Sequence, residues 1–183
     1  HMRTPIAADA SRHIVQGEFM SAFHPELRIA RFIPKVSIGP RIVALTRARN
    51  RPGLLPRLSD LTIQDIDVPA TAGSPAVSLR LYQPNAGTSP RPALYWMHGG
   101  GFAMGKPEQD ETRNIALVRT LGITVAAVRY RLAPEHPSPA ALEDAYAGLV
   151  WLFTHAHDFN IDESRIAIGG ASAGGGLAAT LAL

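Results

Sequence analysis

Cysteine is absent from the 183 residues, which excludes disulfides, thiol nucleophiles and cysteine-ligated metal centres. Long apolar runs are absent too, and no stretch reaches the roughly eighteen uninterrupted apolar residues that a membrane-spanning helix needs. Charged residues make up only 18% of the chain, yet the 46% hydrophobic share is ordinary for a folded protein, so general disorder is excluded. There is no internal repeat and no low-complexity segment. The residues after His1-Met2 lack the basic-then-apolar pattern of a signal peptide, so the expectation is a cytoplasmic protein of one domain. One scarcity is local: none of the eleven residues after Ser172 is Asp, Glu or His.

The formal net charge is +3 and the isoelectric point about 9.7, values that raise the question of a nucleic-acid partner. The charge is unevenly spread: residues 1–60 hold ten Lys or Arg against four acids, and the rest eight against eleven. In the segment from Arg41 to Arg51, arginines are interspersed with apolar residues. That pattern predicts an amphipathic helix with a solvated arginine face, and argues against a nucleic-acid or membrane surface.

Up to residue 60, Pro25, Pro34, Gly39-Pro40 and Pro52-Gly53 punctuate apolar residues at helical spacing, which predicts short helices and turns. From Leu61 the texture changes. Leu61–Val68 and Ala76–Tyr82 alternate apolar and polar around Ala72-Gly73-Ser74-Pro75, predicting two paired antiparallel strands. Ala93–Met97, Ile123–Val128 and Arg165–Ile168 are apolar runs of the kind found in buried parallel strands. Helical patterns lie between them at Thr112–Leu121 and Pro139–Phe153, the second with Ser138 as expected N-cap and Pro139 in its first turn. The order predicts an α/β fold: a mostly parallel sheet with helices on both faces. Residues 1–60 are expected to form a helical segment before a core at 61–183.

The segment Gly170-Ala171-Ser172-Ala173-Gly174 follows the last apolar run and precedes a stretch of small residues. A strand that turns abruptly into a helix strains its central residue, and glycines on both flanks let the two elements approach. The central hydroxyl is then lifted to a helix N-terminus, where main-chain N–H groups favour developing negative charge. Upstream, His98-Gly99-Gly100-Gly101-Phe102 leaves the strand ending at Met97, its glycine amides uncovered by side chains. Such a loop suits a negative oxygen.

With Tyr130-Arg131-Leu132-Ala133-Pro134-Glu135-His136-Pro137 running into Pro139-Ala140-Ala141-Leu142-Glu143-Asp144-Ala145, these motifs closely resemble the hormone-sensitive-lipase-like branch of α/β-hydrolase esterases and lipases. The resemblance covers roughly Leu61 to Leu183, the N-terminal portion of that fold, and places the first sixty residues where the family carries part of its cap. It implies a serine carboxylic-ester hydrolase acting on short or medium acyl esters, without cofactor or metal. Ser172 would be the nucleophile, with the N–H groups of Gly100, Gly101 and Ala173 as oxyanion hole and His98 and Gly99 as loop support. The family usually has Asp where this chain has Ala171. In this fold the triad acid and histidine follow the serine in chain order, and neither follows Ser172 here. The expectation is therefore a fragment inactive by itself, completed by a C-terminal segment or associating as a homo-oligomer.

Other residues receive plainer readings. His136, His155 and His157 are expected in loops or at the surface and not as the base, and His1, His13 and His24 still less so. Glu143 and Asp144 are expected in structural hydrogen bonds, and Asp162 in a turn before the last strand. Phe102, Trp96 and Tyr130 are candidates for an acyl pocket or for plain core packing. Two rival readings exist. Gly170, Gly174 and Gly176 also fit the phosphate-binding turn of a short-chain, NAD(P)-binding dehydrogenase. A non-catalytic scaffold on the hydrolase fold is the other.

Overall fold

A computed structural model describes residues 39–48, 57–87 and 89–183. The turns expected around Pro25, Pro34 and Pro52-Gly53, together with His1, His13, His24, Arg49 and Arg51, lie outside the described residues. Helix α1 spans Pro40–Ala48. Strands β1 (Leu61–Val68) and β2 (Val77–Pro84) pair antiparallel from Leu61 opposite Pro84 to Val68 opposite Val77, as their alternation predicts. Strand β3 (Arg91–Met97), helix α2 (Glu111–Leu121), strand β4 (Thr124–Arg129), helix α3 (Ala140–Thr154), strand β5 (Ile161–Gly170) and helix α4 (Ala173–Leu181) follow.

The sheet order is β1-β2-β4-β3-β5. The β2–β4 pair is antiparallel, while β3 pairs in parallel with both β4 and β5, so four of the five strands point one way and β2 alone is reversed. Alternate side chains of the sheet feed two cores. Leu79, Leu81, Tyr95, Met97, Ala126 and Val128 pack with α3 and α4 on one face. Leu61, Ile63, Tyr82, Trp96, Val125 and Ala127 pack with Val118 of α2 on the other. Burial on both faces explains why β3 and β4 read as continuous apolar runs. The two faces also fix where the site lies: β3 and β5 are neighbours, so the loops leaving their C-terminal ends emerge side by side.

Two local expectations are corrected. Pro139, not Ser138, occupies the N-cap of α3, and no side chain caps that end. Strand β5 begins earlier than its apolar run, at Ile161, because a register shift against β3 accommodates residues 162–165 as a bulge. Asp162 organises that bulge by accepting from the Ser164 N–H at 3.0 Å and from Arg165 Nε at 2.6 Å.

Candidate active site

The site is built on the turn between β5 and α4. Ser172 has φ +51° and ψ −116°, an uncommon conformation for a residue with a side chain, and it is the first residue of the turn into α4. The geometry exists only because its flanks are bare. A β-carbon at Gly170 would collide with the main chain of Gly174, and one at Gly174 with the carbonyl oxygens of Met97 and His98. The Ala171 N–H donates to Met97 O at 3.1 Å and the Gly174 N–H to Ala171 O at 2.8 Å, which ties the turn to the end of β3. Ser172 is exposed, and its hydroxyl has no hydrogen-bond partner among the described residues.

The glycine loop lies against this turn. A β-carbon on Gly99 would sit 3.0 Å from Ala171 O and 3.5 Å from the Ser172 β-carbon, so the two motifs touch across more than seventy residues of sequence. Gly100 and Gly101 have φ of +133° and +62°, and a β-carbon at Gly100 would strike the Met104 carbonyl. The Gly100 carbonyl accepts from the Ala103 and Met104 N–H groups at 3.1 and 3.0 Å, closing the loop. Among the described residues, none accepts a hydrogen bond from the N–H of Gly100, Gly101 or Ala173. Uncommitted main-chain donors beside an exposed, strained serine can receive an anionic oxygen.

Residues 94–183 match the family described as alpha/beta hydrolase fold. The chain is 42% identical over 120 residues to the carboxylic ester hydrolase LipN of Mycobacterium tuberculosis, a match covering 65% of this chain and 31% of that protein. It is 36% identical over 147 residues to the carboxylesterase NlhH of the same species, covering 76% of this chain and 44% of that one. Among solved structures, a bacterial heroin esterase superposes with a TM-score of 0.68 at 38% identity, covering 88% of this chain and 52% of the other. The chain has the α/β-hydrolase fold and is similar to the esterases and lipases built on it. It spans about half the length of the solved relative and less than half of the curated ones. The dehydrogenase alternative is not favoured, since the relatives are esterases.

In this α/β-hydrolase fold His98 is buried under the glycine loop. Its ring stacks on Tyr130 at 4.1 Å between centroids and its Nδ1–H donates to Gly99 O at 2.9 Å, since a carbonyl can only accept. Burial holds the imidazole below its ordinary pKa, which favours the neutral form, and Nε2 has no partner among the described residues. Tyr130 donates to the His98 carbonyl at 2.7 Å, and Trp96 Nε1 donates to Asp110 at 2.8 Å inside the α2 core. Both aromatics are packing residues. Phe102, 40% exposed, instead borders a cavity of about 600 Å³ together with His136, Leu142, Gly176, Leu177 and Thr180. The cavity reaches the first turn of α4 but not Ser172 itself.

His136 lines that cavity, while His155 stacks on Trp151 and its Nδ1–H donates to Trp151 O at 2.9 Å, and neither bonds to the serine. Asp144 is buried and accepts from the Arg131 N–H at 2.7 Å and Nε at 2.9 Å, the structural use expected of it; Glu143 reaches Arg131 at 3.3 Å from the surface. Three site-related residues escaped sequence reasoning. Gln109 donates to Gly99 O at 3.1 Å. Arg47 of α1 reaches the carbonyls of Ala103, at 2.7 Å, and Ala133, and pairs with Glu135. Arg80 is 1% exposed amid Asp65, Glu108 and Glu111. Among the described residues no cluster of His, Cys, Asp or Glu could hold a metal ion, and no helix is long and apolar enough to cross a membrane.

Proposed function

We propose that the full-length protein is a serine carboxylic-ester hydrolase acting on short or medium acyl esters through an acyl-enzyme at Ser172. The observation that carries this reading is the contact between the glycine loop and the serine turn, with three uncommitted amides at the junction. Ser172 Oγ bonds to the ester carbonyl carbon while its proton passes to a histidine base. The carbonyl oxygen becomes an oxyanion held by the N–H groups of Gly100, Gly101 and Ala173. Collapse expels the alcohol with that proton, and water then repeats the sequence to release the acid. The named esterases support the substrate class by similarity.

On this reading the base and its orienting carboxylate are not among these 183 residues, because among the described residues no histidine bonds to Ser172, and no Asp, Glu or His follows it in the sequence. Residues through 60 contribute to a cap and 61–183 to the core. The outer side of β5, which pairs only with β3 among the described residues, is where a further segment or a second copy would add.

Hydrolysis of p-nitrophenyl butyrate by the full-length protein tests the assignment. Ser172→Ala is expected to lower kcat by about 10⁴ or more, and an unchanged rate overturns the mechanism. The 183-residue chain alone is expected to turn over about 10⁴- to 10⁶-fold more slowly than the full-length protein. Turnover at the full-length rate would show that the base lies within it.

A further inference from the structure

The Gly99 carbonyl is gripped from two sides. Gln109 Nε2 donates to it at 3.1 Å and His98 Nδ1 at 2.9 Å. The space between them is closed by Gly105, at φ +107°: a β-carbon there would collide with Gly99 O, crowd His98 Nδ1 at 2.6 Å and lie 3.0 Å from Gln109 Oε1. These three residues therefore form a clamp around one oxygen, on a loop whose three glycines have no side chains to hold it.

We propose that Gln109, admitted by the missing side chain at Gly105, is a positioning residue for acyl transfer: by holding the Gly99 carbonyl it sets the direction of the Gly100 N–H. The inference rests on the serine-hydrolase reading above. A peptide unit is planar and trans, so its C=O and the following N–H point in opposite directions, and fixing one end fixes the other. Between Gly99 and Gly100 there is no steric barrier to rotation of that unit, so its direction rests on the hydrogen bonds to the Gly99 carbonyl, those of Gln109 and His98. The N–H so directed has no acceptor of its own among the described residues, as a donor reserved for a substrate oxygen requires.

The base of the clamp is firm. Gln109 sits on the 3₁₀ turn Pro107–Asp110, where Glu108 Oε1 accepts from Arg129 at 2.7 Å and Asp110 Oδ2 from Trp96 at 2.8 Å. Both neighbours of Gln109 are thus anchored to the sheet, and the amide reaches the loop from a fixed point. Glutamine is suited to the task because it donates without adding a charge beside the developing oxyanion. A donor held in place before charge develops needs no reorganisation in the transition state, and this is where such a residue acts.

The test uses the full-length protein with Gln109→Met, close in shape but without a donor, Gln109→Lys, which retains one, and Gly105→Ala, beside Ser172→Ala. Gln109→Met and Gly105→Ala are expected to lower kcat about 10- to 100-fold, with KM within about twofold of the parent. Gln109→Lys is expected to recover much of the loss. The ¹³C resonance of the Gly99 carbonyl is expected to move upfield in Gln109→Met as its hydrogen bond is lost, a readout independent of turnover. An unmoved Gly99 carbonyl overturns the proposal. So does an unchanged kcat in Gln109→Met where Ser172→Ala abolishes hydrolysis, a loss confined to KM, or an equal loss in Met and Lys. If Ser172→Ala itself leaves hydrolysis intact, the underlying mechanism fails instead.

Discussion

At Gly174 the serine turn has no room for a side chain, because the carbonyl oxygens of Met97 and His98 already occupy the position of a β-carbon. Gly174→Ala must push α4 away from β3, and overpacking of this kind costs about 1–3 kcal/mol. At Gly175 a β-carbon would lie 3.3 Å from Gly170 O, a contact that a few tenths of an ångström relieve, so Gly175→Ala is the near-neutral control in denaturant unfolding. A second outcome at this scale concerns pH. Burial depresses the His98 pKa below 6.5, so the unfolded chain binds that proton more readily than the folded one. The contribution is complete above the unfolded value and is lost as pH falls through and below about 6.5. Unfolding midpoints between pH 7 and 5 should therefore fall less steeply in His98→Gln than in the parent. Ser172 and the glycines were legible in the sequence because steric demands of a tight turn restrict residue type locally. Gln109 was not, since a side-chain amide bonded to a carbonyl ten residues away leaves no pattern in composition or spacing.

Helix α1 shows the same limit one level up. Its spacing predicts an amphipathic helix with a solvated arginine face, and the helix is present, but Arg47 is turned inward. Its guanidinium bonds the carbonyls of Ala103, just beyond the glycine loop, and Ala133, whose own N–H donates to Phe102 O at 2.8 Å. One side chain thus links α1 to the segment that follows the glycine loop and to the segment that follows β4. The alternation of arginine with apolar residues could not reveal this, because the acceptors are main-chain oxygens that any residue carries. The partner Glu135 is 59% exposed, and exposed ion pairs contribute about 1 kcal/mol or less. Hydrogen bonds from a charged donor to part-buried carbonyls contribute more, about 1.5–3 kcal/mol each. Arg47→Ala is accordingly expected to accelerate hydrogen exchange of the α1 amides at least about tenfold, while Glu135→Gln leaves them close to the parent rate. Equal effects would mean that the ion pair, not the carbonyl contacts, holds the helix.

The architecture as a whole followed from periodicity: alternating β1 and β2, apolar β3 and β4, and helices of the expected span between them, giving four parallel-running strands around a reversed β2. Where that logic failed was in the second face of β2. Alternation places Arg80 toward solvent, but β2 lies between β1 and β4 and is covered by the 3₁₀ turn and α2, so the side chain is enclosed. Arg80 meets Asp65 of β1 at 3.1 Å, Glu108 of the turn at 3.5 Å and Glu111 of α2 at 3.0 Å, and Glu108 also accepts from Arg129 of β4. Burial alone would raise the Glu108 pKa, but the Arg129 hydrogen bond and the charges of Arg129 and Arg80 prevail and hold it below its ordinary value. The cluster therefore couples three strands to the 3₁₀ turn that carries Gln109 and to α2. Removing its central cation leaves the part-buried Glu111 without this partner and Glu108 with Arg129 alone, and loss of a charged hydrogen bond of this kind costs about 1.5–3 kcal/mol. Arg80→Met, which preserves much of the side-chain length, is expected to lower stability by that amount in denaturant unfolding, and adding Glu108→Gln and Glu111→Gln is expected to restore part of it. A single Arg80→Met variant as stable as the parent would show that the cluster does not hold these elements together.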